Sequence, residues 1–517
     1  MKSKSEFIEQ LKLILNESQI LTDFEDLYVY SFEKTFLDQI YPNLDIVVKI
    51  SSLKEEKKIL ELAKKNSIVV IKRGEQHPPY FNKDTVLLLD DVELPNLEDC
   101  IEEIENKDEF IKKVYEMYKN GYSTYRNLAL AVQNQLSGTI LNKCQQCITC
   151  SGYCTVSPSF NGIETWNSKG KMLIARGVMK GDIAFSNKVI DTLYSCTKCG
   201  LCFAQCYQDL EFHEAILYLR RKIAENNLAP QVFYAAANNI SEHGDPSAIS
   251  IDRRLLRVKS MSNLVLPETA ETLCFLGCTT ATRTPKTADA FINILTRLNL
   301  DFTMLGKSEG CCGYILLSTG LWEQAEKVAN ELVKKIEKVR AKTIITPCSG
   351  CYYTFTRLYP EILDVNIPCE ILHTSQFLEK KINEKEIRLK PLNLKVTYHD
   401  PCSLGRHSKV YDPPRNVLKA IPNLELIEMP LNRNCARCCG GGAGLWTFSN
   451  KVSLEATQIR LNEDLIPTNV NILTTACPQC QLNFRFASRR NSLTNNLIQV
   501  YDITEMIELA MNSENFN

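Results

Sequence analysis

Eighteen of the 22 cysteines in this chain fall into four spaced groups, and thiolate is the side chain that suits soft metals and iron–sulfur clusters. Two groups are tight runs, Cys144-x-x-Cys147-x-x-Cys150-x-x-x-Cys154 and Cys196-x-x-Cys199-x-x-Cys202-x-x-x-Cys206. The other two are long and alike. One has Cys278, then Cys311-Cys312-Gly313, then Cys348-x-x-Cys351; its counterpart has Cys402, Cys438-Cys439-Gly440 and Cys477-x-x-Cys480. Three thiolates on one short irregular loop can face three irons of a single cubane. Adjacent cysteines cannot both enter one tetrahedral cage without strain, so the long groups suit a larger or irregular metal–sulfur assembly. The glycine after each pair permits φ > 0 and close backbone approach.

The tight runs have the spacing of bacterial two-cluster ferredoxins, in which the fourth cysteine begins a helix and serves the other cluster. One cubane [4Fe–4S] cluster is therefore assigned to Cys144, Cys147, Cys150 and Cys206, and the other to Cys196, Cys199, Cys202 and Cys154. Cys-x-x-Cys pairs also make tetrahedral zinc sites, but the doubled four-cysteine pattern favours iron–sulfur. Thr155 and Tyr207 stand where the bacterial pattern often has proline. Cys100, Cys274, Cys369 and Cys435 stand outside the groups; Cys274 and Cys435 lie near the ligand sets and could be extra ligands or sulfur donors, with buried apolar cysteine as the default. His399 and His407 flank Cys402 and could donate a hydrogen bond to cluster sulfur or substrate; a satisfied structural histidine is the competing reading.

The elements that must position these residues are α/β. Strand-like runs Thr272–Gly277 and Leu394–Tyr398 each lead into a cysteine, and Ile344–Thr346 and Ile472–Thr475 each lead into a Cys-x-x-Cys. Helical text lies between them at Glu323–Lys338 and Val452–Glu463, the first read as a solvated face. Corresponding cysteines are 124 residues apart (Cys278 to Cys402) and 129 apart (Cys348 to Cys477), which predicts two similar α/β lobes. Their cysteines sit just past strand ends, where open α/β sheets bind ligands. The tight runs belong to mostly helical text, Ala215–Glu225 for example, closed by the breakers of Glu242–Ser247. Before them, helical periodicity at Glu6–Leu15 and Leu53–Lys65 alternates with β-rich runs at Asp45–Ile50, Ile68–Lys72 and Val86–Leu89; a charged helix at Glu102–Tyr118 leads onward. The expected multidomain division is an α/β domain at 1–125, an α-helical two-cluster domain at 126–262, and lobes at 263–390 and 391–517.

Composition excludes several classes. At 44% hydrophobic and 23% charged the chain reads as an ordinary globular protein, and a net charge of -1 gives a nucleic-acid surface no support. No apolar run reaches the ~18–20 residues of a membrane helix. The amphipathic start is not a signal core, so cysteines in a cytoplasmic protein point to metal rather than disulfides. Any membrane association is expected to go through a partner.

The long cysteine groups resemble the tandem cysteine-rich, or CCG, domains of heterodisulfide reductase subunits and of related Fe–S oxidoreductases, including glycolate and lactate oxidase iron–sulfur subunits. Flanking text carries the likeness too: Phe275-Leu276-Gly277-Cys278, Glu309-Gly310-Cys311-Cys312-Gly313, His399-Asp400-Pro401-Cys402-Ser403-Leu404-Gly405-Arg406, and Val410 to Arg415. With the tight runs ahead, residues 126–510 resemble the D-type subunit of heterodisulfide reductase. The resemblance implies two noncubane [4Fe–4S] clusters on the ten CCG cysteines, which are then catalytic. Such clusters cleave a disulfide by taking one sulfur at each site, with electrons supplied through the two cubanes. It also implies an electron-donor partner: a flavoprotein, a ferredoxin or a membrane cytochrome. Both lobes carry all five cysteines; the gap from Cys439 to Cys477 is slightly longer than usual.

Residues 1 to about 95 resemble the start of the FAD-binding domain of glycolate oxidase and D-lactate dehydrogenase flavoproteins, through Leu21-Thr22-Asp23, Tyr30-Ser31, Val47-Val48-Lys49, Ile59–Ala63 and Ile71-Lys72-Arg73-Gly74. That family's next residues are glycine-rich; here they are Glu75-Gln76-His77-Pro78-Pro79. Proline removes N–H donors and glutamate repels a pyrophosphate, so FAD is not expected in this chain. The segment reads as a relic fold kept for structure or for docking a flavoprotein. Three functions follow: a disulfide-reducing oxidoreductase, the electron-transfer subunit of a 2-hydroxyacid dehydrogenase complex, or a non-catalytic cluster carrier.

Overall fold

The computed structural model describes residues 144, 149–206, 208, 210–249, 264–490 and 498–512, with shorter stretches at 9–15, 20–21, 23, 25, 47–48, 58 and 61–62. The chain divides into two units, residues 1–136 with 145–147, and residues 137–144 with 148–517. In the first unit residues 9–12 are helical, and β1 (Ile20–Leu21) pairs antiparallel with β2 (Val47–Val48), inside one of the expected β-rich runs. Residues 58, 61 and 62 are helical, as the periodicity from Leu53 predicts. The runs at Ile68–Lys72 and Val86–Leu89, the helix at Glu102–Tyr118 and the loop after Gly74 lie outside the described residues.

The second unit begins with helices whose ends are set by local chemistry. Asn167 caps α1 (Ser168–Lys180) by accepting the N–H of Gly170 at 2.8 Å, and Gly181 ends it with φ 83°. Ser186 caps α2 (Asn187–Tyr194) in the same way. Then come α3 (Leu201–Ala204), α4 (Phe212–Glu225) and α5 (Gln231–His243), the last closed by Gly244 within the breaker stretch.

Two parallel four-stranded sheets follow. In the first lobe β3 (Thr272–Cys274) leads through α6 (Cys278–Arg283) and α7 (Pro285–Arg297) to the edge strand β4 (Phe302–Thr303). After α8 (Tyr314–Thr319) and α9 (Trp322–Val339) come β5 (Thr343–Thr346), α10 (Ser349–Tyr353) and β6 (Glu370–His373), then α11 (Thr374–Asn383). The second lobe contains β7 (Leu394–His399), α12 (Asp412–Lys419), β8 (Leu424–Leu426), α13 (Leu445–Phe448), α14 (Asn450–Arg460), β9 (Ile472–Thr475), α15 (Pro478–Arg490), β10 (Gln499–Asp502) and α16 (Ile503–Asn512). Sheet orders are β4-β3-β5-β6 and β8-β7-β9-β10, so the internal repeat holds strand for strand. The chain is thus an α/β protein built on parallel sheets.

The lobes share one core. Helix α7 packs on α16, α11 on α12 and α6 on α15, and Phe291 and Leu295 are buried in one cluster with Ile503, Met506 and Ile507. Thr287 donates to Glu505 Oε1 at 2.7 Å across this junction. The face of α9 carrying Ala325, Ala329, Leu332 and Ile336 is buried while its Lys and Glu residues face outward, as the charge pattern predicts. Two helices, α10 and α14, continue into wider turns at residues 354–363 and 461–465, which periodicity does not announce. Among the described residues no helix is long and apolar enough to cross a membrane.

Candidate metal centres

Parallel strands deliver the CCG cysteines to one end of the two sheets. In the first lobe β3 gives way to Phe275-Leu276-Gly277, and the buried Glu309 carboxylate accepts the N–H groups of Leu276 and Gly277 at 3.3 and 2.9 Å. Gly277 has φ +76°, and a Cβ there would lie 2.9 Å from Cys351 Sγ, so glycine leaves room for the thiol. In the second lobe Asp400 takes a bidentate pair from buried Arg415, at 2.7 and 2.8 Å, which fixes the turn that carries Cys402.

The thiols converge. Cys278 Sγ lies 3.7 Å from Cys311 Sγ, and Cys480 Sγ lies 3.2 Å from Cys439 Sγ. Cys312 hydrogen-bonds Cys351, and Cys402 hydrogen-bonds Cys438. Between lobes, Cys348 hydrogen-bonds Cys477, the two first members of the Cys-x-x-Cys pairs. The backbone beside that meeting point is locked: Ser349 Oγ donates to the Ala476 carbonyl at 2.9 Å, and His373 Nε2 reaches the same oxygen at 3.1 Å. Because His373 Nδ1 accepts the Ser375 N–H, the ring is the Nε2–H tautomer, and burial lowers its pKa to about 4. Cys312, Cys439 and Cys477 are held well below the ordinary thiol range, each chiefly by a hydrogen bond from a neighbouring thiol: Cys311, Cys438 and Cys348 in turn. Burial pushes Cys274 well up, and Cys278, Cys311, Cys348, Cys351, Cys438 and Cys480 are raised as well, so the direction does not set the CCG thiols apart.

A single cavity of about 390 Å³ is lined by all ten CCG cysteines except Cys438. Both lobes therefore face the same space. These soft donors, none of them in a disulfide, fit a metal–sulfur assembly.

Apart from Cys147, which lies outside the described residues, the cysteines of the tight runs lie in the second unit. Cys154 has Cys196 and Cys199 among its neighbours, and Cys202 has Cys196, Cys199 and Cys154, so thiols of the two runs stand side by side. Cys150 also lies near Cys202. One detail differs from expectation. The fourth cysteines do not begin helices: α3 lies inside the second run and Cys206 follows it, while Cys154 sits between short 3₁₀ turns. Buried Lys171 is a cation beside Cys154, and it anchors on the Trp166 carbonyl at 2.5 Å.

The second run docks on the second lobe. Cys199 hydrogen-bonds Cys438, and Arg406 donates to the carbonyls of Cys199 and Ala436. Of the two readings for His407, the satisfied structural histidine holds: Nε2 lies 2.9 Å from the Lys198 carbonyl and the ring stacks on Tyr353, so it joins elements. His399, in contrast, stands beside Cys439 and Cys480. Cys435 Sγ accepts from Gln205 and Cys369 donates to the Ala341 carbonyl. Sequence reasoning assigned no role to Arg220. It is fully buried and donates to the carbonyls of Leu193, Cys196, Ser318 and Ala443. The signal for it in the sequence is an arginine between Ile216 and Ile223, on the apolar stripe of α4.

Known proteins agree with this arrangement. The cysteine-rich domain family model, CCG, matches residues 272–356 and 396–485, one match in each lobe. The D-type subunit of the dihydromethanophenazine:CoB–CoM heterodisulfide reductase of Methanosarcina acetivorans is 30% identical over 393 residues, 72% of this chain and 94% of that protein. Its Methanosarcina barkeri counterpart is 28% identical over 390 residues, again 72% and 94%. An EtfAB:quinone oxidoreductase of Syntrophomonas wolfei is 28% identical over 341 residues, 62% of this chain and 47% of that protein. Tandem cysteine-rich domains converging on one cavity define an iron–sulfur oxidoreductase. Within that class, this chain belongs to the family of D-type heterodisulfide reductase subunits.

Proposed function

We propose that this chain takes electrons from a partner subunit at the tight cysteine runs and reduces a small-molecule disulfide at the CCG cavity. The observation that carries the reading is the shared cavity, in which thiols of both lobes face one space of about 390 Å³. Cys144, Cys147, Cys150 and Cys206 would hold one cubane cluster, and Cys196, Cys199, Cys202 and Cys154 the other. The five CCG cysteines of each lobe would hold a noncubane [4Fe–4S] cluster, completing the four-domain division at residues 125, 262 and 390. Bound there, the clusters supply single electrons and soft sites for substrate sulfur.

The protein's own residues do the positioning. Ser349 and His373 fix the seam where Cys348 meets Cys477, so the two halves of the cavity keep their spacing. Glu309 and the Asp400–Arg415 pair hold the turns that present Cys278 and Cys402. Tyr314, lining the cavity next to Cys402, has its pKa pushed well up by burial, so it remains a neutral hydrogen-bonding phenol facing the substrate space.

The test is an iron count followed by turnover. Anaerobically reconstituted chain should carry roughly sixteen irons for four four-iron clusters, and should oxidise a reduced viologen with a low-molecular-weight heterodisulfide. About eight irons would remove the two noncubane centres from the reading. Full iron without turnover would favour a second reading, a pure electron-transfer subunit serving a flavin-dependent dehydrogenase. The EtfAB:quinone oxidoreductase among the relatives lends that reading its support.

A further inference from the structure

The lobes repeat strand for strand, yet one pair of equivalent residues beside the CCG thiols differs in chemistry. Cys274 pairs with Ile345, and Tyr398 pairs with Thr474. Each partner stands three residues before the first cysteine of its Cys-x-x-Cys, so Phe275 and His399, the next residues, occupy the same place. Each ring also meets a phenylalanine four residues beyond the second cysteine of that pair. Phe275 lies edge-on to Phe355 at 5.0 Å, and His399 lies edge-on to Phe484 at 4.8 Å. The fold holds the two rings alike, so the difference between them is chemical.

His399 is 1% exposed; neither ring nitrogen has a hydrogen-bond partner of full geometry, sulfur included, and the Cys439 thiol is the group its ring interacts with. Leaving such a group unsatisfied costs about 1–3 kcal/mol. What lies beside it is sulfur: a ring nitrogen and the thiols of Cys439 and Cys480 all fall within 4.8 Å of one another. A neutral imidazole has one N–H to donate, and here that donor is buried against a metal-type thiol. Phe275 brings no donor to the matching spot in the first lobe.

We infer that His399 donates a hydrogen bond to the Cys439 sulfur of the second lobe's metal–sulfur centre, making that centre the more easily reduced of the two. The inference rests on the reading above, in which both lobes hold iron–sulfur. A hydrogen bond to a ligating sulfur stabilises the added negative charge of the reduced state, and such bonds are among the levers that set cluster potentials. The direction agrees with the side from which electrons arrive. Cys199 of the second tight run hydrogen-bonds Cys438, the neighbour of Cys439, whereas the thiol partners of Cys278 and Cys351 are cysteines of their own lobe. The second lobe is the receiving centre, and His399 is a positioning residue that tunes it.

The test is a redox titration of the reconstituted full chain, followed by EPR and Mössbauer spectroscopy, in wild type, His399→Phe, His399→Gln and Phe275→His. His399→Phe should keep its iron and weaken reduction of one noncubane centre about tenfold, about 59 mV for a one-electron couple. His399→Gln, which retains an N–H donor, should recover part of that shift, and Phe275→His should ease reduction of the other centre. The inference is overturned if His399→Phe keeps full iron with both potentials in place. Loss of the second centre's iron in that variant would overturn it too, because the ring would then be required to hold the metal. A Cys439→Ser/Cys480→Ser variant that keeps all the wild-type iron would bring down the underlying two-lobe reading instead.

Discussion

Arg406 Nε donates to the backbone carbonyl of Cys199 at 2.7 Å, so a side chain of the second lobe holds the loop of the second tight run. The same guanidinium reaches the carbonyls of Ala436 at 2.5 Å and Asn434 at 3.2 Å. It is buried, and Cys199, Cys402 and Cys438 are the thiol groups that face its charge. One cation therefore ties the second tight run to the second lobe and stands among thiols of both.

Arg406→Met keeps the apolar stem and removes the fork. Three carbonyls lose a charged donor, and the cost should be at least about 3 kcal/mol, since one hydrogen bond to a charged group contributes about 1.5–3 kcal/mol. Electron passage from the tight runs to the CCG centres should slow at least tenfold in freeze-quench EPR. Arg406→Lys restores charge without the planar fork, and should recover less than half of the lost stability. Unchanged transfer kinetics in Arg406→Met would mean that this contact does not lie on the route.

Arg220 makes the corresponding lock between the helical region and both lobes. It donates to Ser318 at 2.9 Å in the first lobe and to Ala443 at 3.0 Å in the second, while also holding Leu193 and Cys196. Arg220→Ala leaves buried carbonyls without donors and should destabilise the second unit by about 3–5 kcal/mol. Calorimetry should show the helical region melting apart from the lobes. A single transition with a loss under about 1 kcal/mol would rule out the lock.

Both arginines show where sequence reading stops. The lobes were legible because each repeats strand, cysteine, Cys-Cys-Gly, strand and Cys-x-x-Cys, and a repeated pattern needs no knowledge of the distant chain. Arg220 and Arg406 act on backbone carbonyls 98 and 207 residues away, and a carbonyl has no sequence signature. His399 lay between: its nearness to Cys402 was visible, but its unsatisfied ring nitrogens and its equivalence to Phe275 emerge only once the register is known.

Asp502, at the end of β10, is fully buried; Oδ1 accepts the N–H and hydroxyl of Thr504 while Oδ2 has no hydrogen-bond partner. Burial pushes its pKa up to about 8, the Thr504 hydrogen bonds opposing and the Glu505 charge adding. The folded carboxyl thus keeps its proton at pH values where the unfolded one, with an ordinary value of 3.8, has lost it. Its contribution to stability is fully present below about pH 4 and is lost as pH rises to about 8, at no more than about 1.4 kcal/mol per pH unit. Asp502→Asn preserves the Oδ1 acceptor and a neutral group at Oδ2. Its melting temperature should exceed that of wild type by a margin that grows from pH 5 to pH 8. A margin that is constant or shrinks over that range would show the carboxyl ionised in the folded state throughout.

The glycines that follow the Cys-Cys pairs look equivalent in sequence but are not so in space. Both have positive φ, +75° at Gly313 and +79° at Gly440, and an L-residue in that region pays roughly 1–2 kcal/mol. A Cβ on Gly313 would meet nothing closer than Val328 Cγ1 at 3.6 Å, an ordinary contact. A Cβ on Gly440 would lie 2.3 Å from the Ser453 carbonyl oxygen, and that backbone is held in place because Ser453 Oγ donates to the Gly440 carbonyl at 2.9 Å. Gly313→Ala should therefore fold, lose about 1–2 kcal/mol and retain full iron after reconstitution. Gly440→Ala must push α14 away from Cys438 and Cys439, and should lose the iron of one four-iron centre. Iron analysis of the two variants side by side decides the matter: equal iron contents would show that the second lobe yields to the added methyl as readily as the first.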